Sequence, residues 1–139
     1  MKTFALLAVS IVLVSILFCP LAIAAPPMPN DVQMVQPHAS LPKELAGFWG
    51  KWEGSDSVMK LFIIVEKIVK EKASLYIWRS GFQQTPEGWE RIEAKVSKES
   101  GKYKLSYPNN MGSTTSWVLN GEYLDGLTPA GLARLSRVP

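Results

Sequence analysis

The 139-residue chain has one cysteine, Cys19, and one histidine, His38. Two residues so sparse leave little room for the commonest side-chain chemistries. No HExxH pattern, nearby pair of histidines or Gly-rich phosphate loop is present, so no metal site or nucleotide cofactor is expected. His38 stands between Pro37 and Ala39 with no neighbouring group to orient it as a base, and no G-x-S-x-G turn presents Ser80, Ser113 or Ser116 as a nucleophile. The carboxylates Glu87, Glu90 and Glu93 fit the wet side of a strand better than a catalytic pair. Catalysis is therefore not expected. The formal charge of +3 is small, and basic residues alternate with glutamates where a nucleic-acid surface would cluster them.

The one long hydrophobic run lies at the start. Lys2 precedes an apolar stretch from Phe4 to Phe18, which leads to Ala22-Ile23-Ala24-Ala25 and then Pro26-Pro27. A charged start, apolar middle and A-x-A site mark residues 1–24 as a signal peptide cut after Ala24. If it were retained, the stretch from Phe4 to Ala25 would be long enough to span a bilayer, but the polar, proline-rich continuation favours removal. Lipidation of Cys19 is disfavoured by the bulky Phe18 before it and Pro20 after it. The processed chain would then be secreted or periplasmic, without stable membrane insertion and without cysteine, so its stability would rest on packing.

Residues 25–42, "APPMPNDVQMVQPHASLP", contain five prolines and no sustained alternation of apolar and polar positions, and read as a flexible arm. A single domain over 43–139 follows. Its apolar residues come in short runs divided by turn residues. The run "VMKLFIIVEKIV" has some helical spacing, but Ile63, Ile64, Val65, Ile68 and Val69 are branched and suit a strand, with Met59, Leu61, Ile63, Val65 and Val69 on one face. Next, "ASLYIWRS" places Ala73, Leu75 and Ile77 on one face and Tyr76 and Trp78 on the other, which predicts cover on both sides. "ERIEAKVSK" alternates cleanly, with Ile92, Ala94 and Val96 inward, and "KYKLSY" answers with Tyr103, Leu105 and Tyr107. Asn120-Gly121 is the strongest hairpin turn signal, and "GLARLSRV" is the last strand.

About eight short strands in succession predict an all-β fold, a small antiparallel up-and-down barrel, because closure removes the exposed edges of a flat sheet. A β-sandwich is the alternative. The first strand falls in "LAGFWGKWEG", where three glycines permit bending and the opposite parity of Trp49 and Trp52 sends them to opposite faces.

With Gly47-Phe48-Trp49 on the first strand and Arg134 or Arg137 on the last, residues 45–138 resemble the lipocalin-like or calycin group of small barrels. That resemblance implies that Gly47 and Trp49, with one of the two arginines packed across the indole, close a barrel end. It also implies a central cavity for a small apolar molecule, although a barrel this short is narrow and its own side chains compete for the interior.

Binding has the better material. Trp52, Tyr76, Trp78, Trp89, Tyr107 and Trp117 offer broad apolar surfaces with polar edges. Trp78 and Trp89 flank the polar loop of "WRSGFQQTPEGW" and are the first candidates, with Arg79, Gln83 and Gln84 orienting a polar end of the ligand. The expected partner is a small hydrophobic or aromatic molecule. Alternatives are a protein partner held by exposed aromatic loops, as in an inhibitor or accessory module, and a carbohydrate stacked on the aromatics.

Overall fold

The computed structural model describes residues 25–83 and 86–139, so the leader-like segment 1–24 and Gln84 lie outside the described residues. A single helical turn, α1 (Lys43–Ala46), is followed by β1 (Gly50–Ser55), β2 (Lys60–Ile68), β3 (Lys72–Arg79), β4 (Gly88–Glu99), β5 (Lys102–Pro108), β6 (Thr114–Asn120), β7 (Tyr123–Thr128) and β8 (Gly131–Val138). Each strand pairs antiparallel with the next, and β8 returns to β1 through the partners Trp52 and Arg137, closing the barrel. The fold is thus an all-β, eight-stranded, up-and-down barrel.

Inward positions follow the alternation in the sequence. Leu61, Ile63 and Val65 of β2, Ala73, Leu75 and Ile77 of β3, Ala94 and Val96 of β4, and Leu105 and Tyr107 of β5 all join one core. The β2 pattern is corrected at its end. Pairing with β3 shifts between Val65 and Lys67, so Glu66 is an extra residue and Ile68, opposite Ala73, points inward while Val69 is exposed. A bulge of this kind reverses side-chain parity, which simple alternation through Val69 did not anticipate.

Trp117 fills much of the interior. A Cβ added at its cross-strand partner Gly126 would lie 2.2 Å from the indole, so glycine there leaves the space in which the ring lies. One barrel end is stoppered by Leu45 of α1 and by Phe48, both fully buried.

Arg137 secures that stopper. Its guanidinium lies 4.2 Å from the Trp52 ring centroid and donates hydrogen bonds of 2.6 Å to the Gly47 carbonyl and 2.7 Å to the Trp49 carbonyl. Two charge-assisted bonds and a stacked cation join the last strand to the segment before the first. The indole beneath the arginine is Trp52, not Trp49. "LAGFWGKWEG" holds two copies of the glycine-x-tryptophan pattern, and the inward indole belongs to the second, Gly50-Lys51-Trp52. Gly50, at φ +123°, would bring a Cβ to 2.7 Å from the Arg137 guanidinium, so a side chain there would displace it. Gly47 and Trp49 contribute backbone carbonyls. Arg134 has a separate role on the outer wall, paired with Asp125 and stacked over Tyr123.

The segment expected to be a flexible arm lies across the outside of β2, β3 and β4. The Val35 amide donates to the Glu66 carbonyl at 2.8 Å, the Tyr76 hydroxyl to Asp31 Oδ2 at 2.7 Å, and Trp89 Nε1 to the Pro27 carbonyl at 2.9 Å. Prolines keep the arm from pairing as a full strand, but the outward Ile64, Tyr76 and Trp78 give it an apolar surface to cover. Glu66, only 2% exposed, accepts from the Gln33 amide, Ser74 and Arg91. Burial pushes its carboxyl up, but these donors outweigh burial and hold it below its ordinary value.

Candidate functional site

Two recesses mark the barrel ends. At the stoppered end a broad groove of about 930 Å³ runs past Lys43, Glu44, Lys102, Glu122 and Arg137. Phe48 and Trp52 lie beneath it, both almost completely buried, while Tyr103, Leu119 and the exposed Tyr123 add apolar surface beside the charged side chains. The smaller recess, at the opposite end, differs in setting a guanidinium and buried hydroxyls against core side chains.

There the loops after β1, β3, β5 and β7 surround a cavity of about 540 Å³ that reaches Leu61, Ile77 and Trp117 of the core. This volume lies within the roughly 300–1,000 Å³ common for small-molecule sites. Tyr107 and Thr115, both buried, supply hydroxyls, and Arg79 is the cation among the described lining residues. Trp117 Nε1 donates to the Tyr107 hydroxyl at 3.3 Å. Burial pushes the Tyr107 phenol above its ordinary value, while Trp117, Arg79 and Thr115 draw it partly back. The phenol therefore stays protonated at neutral pH and keeps a donor in the cavity.

Short side chains organise the rim. Asp56 Oδ1 accepts from the Val58 and Met59 amides, and Thr128 donates to Asp56 Oδ2, which ties the β1–β2 loop to the end of β7. Asn109 Oδ1 accepts from the Met111 and Ser113 amides while its Nδ2 donates to Thr115 Oγ1. These bonds give both loops a defined shape. Apolar residues surround the opening: Val58, Phe82 and Met111 are exposed, Met111 at 75%.

The structure brings together only part of the group chosen from sequence. Arg79 and Gln83 line the cavity. Trp78 and Trp89 do not: they are cross-strand partners on the outer wall. Trp78 packs edge-on against Phe62, and Trp89 is bonded to the arm. Strand parity is the reason, because an inward Arg79 forces its neighbour Trp78 outward. Tyr107 and Trp117 were visible as aromatics, and their inward alternation with Thr115 and Leu119 was the signal that could have ranked them first. Among the described residues no group of three His, Cys, Asp or Glu side chains is placed to hold a metal ion. His38 lies on the arm, bonded to Ser40.

No protein-family model matches the chain, and neither a curated protein nor a solved structure shows significant similarity to it.

Proposed function

We propose that this protein is a non-catalytic binding barrel of the secreted or periplasmic compartment. It takes the apolar or aromatic body of a small molecule into the mouth formed by the loops after β1, β3, β5 and β7. The observation that carries this reading is the cavity of about 540 Å³, with apolar walls at Leu61, Ile77 and Trp117 and a compact polar group at Arg79, Tyr107 and Thr115. The exposed Val58, Phe82 and Met111 at its rim supply affinity in proportion to the apolar area a ligand covers, and a few polar groups fix orientation. The lipocalin-like resemblance points the same way, with Trp117 restricting the ligand to the mouth.

Native mass spectrometry of the protein purified gently from its own compartment, followed by denaturing extraction, tests the proposal. A reproducible bound small molecule supports it. An empty protein that also fails to bind lipids and aromatic compounds in titration refutes it.

A second reading draws on the rim, where Val58, Phe82 and Met111 are exposed together with the outward pair Leu127 and Leu132. A protein partner could cover that ring. Cross-linking in the native compartment that recovers no specific partner argues against it.

A further inference from the structure

Resting on the binding role proposed above, we infer that the ligand is an amphipathic anion, such as a carboxylate on an apolar body, bound head inward on Arg79 and Tyr107. Among the described residues that line the cavity, Arg79 is the one cationic side chain. Its hydrogen-bonded partner is Glu90, at 2.7 Å, whose side chain is 57% exposed. The pair is open to water on the Glu90 side, while the Arg79 side chain is only 23% exposed. Glu90 can therefore return to solvent when another carboxylate takes the covered guanidinium. The phenol of Tyr107 is a second donor beside the arginine.

The other carboxylate in the lining does not compete for that place. Asp56 is held in the β1–β2 turn, where one oxygen accepts from the Val58 and Met59 amides and the other lies 3.3 Å from the Thr128 hydroxyl, whose proton the Gly131 carbonyl shares at 3.1 Å. The distribution of apolar surface sets the orientation. Leu61, Ile77 and Trp117 at the floor are already buried, whereas Val58, Phe82 and Met111 at the rim still face water. A head against Arg79 and a body turned outward covers the surface that gains most from cover.

The test compares two probes that share a tail, decanoate and decan-1-ol, by isothermal titration of the full protein. The wild type is expected to bind decanoate roughly tenfold or more tightly than the alcohol, the range of a charge-assisted hydrogen bond. Arg79→Gln should bring that ratio close to one. Glu90→Gln, at an exposed position, should raise the ratio above that of the wild type because the internal competitor is gone. Equal affinity for the two probes in the wild type overturns the inference while leaving the binding barrel intact, as does a ratio unchanged by Arg79→Gln or lowered by Glu90→Gln. Failure of both probes to bind overturns the binding role and the anion inference together.

Discussion

Replacing Gly126 with alanine tests how the barrel interior is filled. The added methyl carbon would lie 2.2 Å from Cζ3 and 2.3 Å from Cε3 of Trp117, whereas carbon atoms in contact sit about 3.5–4.0 Å apart. The overlap exceeds an ångström, so the indole or the β6–β7 backbone must move. Overpacking of this kind costs about 1–3 kcal/mol, and displacement of the indole also strains its bond to Tyr107, worth about 1 kcal/mol. A net loss of about 2–3 kcal/mol is expected, a large part of the roughly 5–15 kcal/mol that stabilises a typical domain. Trp117→Ala alone should cost about 3–5 kcal/mol. In that background Gly126→Ala should be neutral or slightly stabilising, since the methyl then enters vacated space and the strand loses a flexible residue. Urea unfolding followed by far-ultraviolet circular dichroism measures all four corners of the cycle without relying on tryptophan emission. The reasoning is refuted if Gly126→Ala leaves the wild type unchanged, or costs as much with Trp117 removed.

At the closed end, Arg137→Met should lower stability by about 1–2 kcal/mol through loss of two carbonyl bonds and the stack on Trp52, and Arg137→Lys should recover less than half because it lacks the planar fork; thermal unfolding of the three proteins decides this. On the outer wall, Arg134 holds the Asp125 carboxyl down to about 2, so that pair contributes stability above the ordinary carboxylate range that is lost as pH falls toward about 2. Asp125→Asn should flatten the fall in urea midpoint over that interval. Glu66→Ala removes the acceptor of the Gln33 amide and should cost about 1–3 kcal/mol. Hydrogen exchange should then quicken sharply at Gln33 and less at Val35, whose bond is to the Glu66 backbone.

Much of the architecture was legible because one face of most strands is buried. Clean alternation at Ile92, Ala94 and Val96, and again at Tyr103, Leu105 and Tyr107, identified strands and their inward sides. Apolar residues on both faces of β3 foretold an outer cover, which the arm provides. Glu66 was less readable: an extra residue in one strand shows itself only against the register of its partner, so the switch from Val69 to Ile68 needed the pairing with β3. The closing tryptophan was ambiguous for a related reason, since Trp49 and Trp52 each follow a glycine by two and only the start of β1 at Gly50 separates them.

The proposed site was harder because its residues meet only after closure. Arg79 and Gln83 belong to one loop region, but Tyr107, Thr115 and Trp117 come from the β5–β6 hairpin. Sequence adjacency to the polar loop drew attention to Trp78 and Trp89, and strand pairing put both on the outer wall. Gly126 could not be linked to Trp117 until the β6–β7 register placed them opposite one another.

The most direct measurement of the central claim is a chemical-shift titration of isotopically labelled protein with decanoate. A ligand in the mouth predicts saturable shifts at Leu61 and Ile77 methyls, at the Thr115 methyl and at the Trp117 indole, with the Trp78 and Trp89 indoles little affected. Saturable shifts centred on Trp78 and Trp89, with the mouth residues unmoved, would contradict the account and place binding on the outer wall beneath the arm.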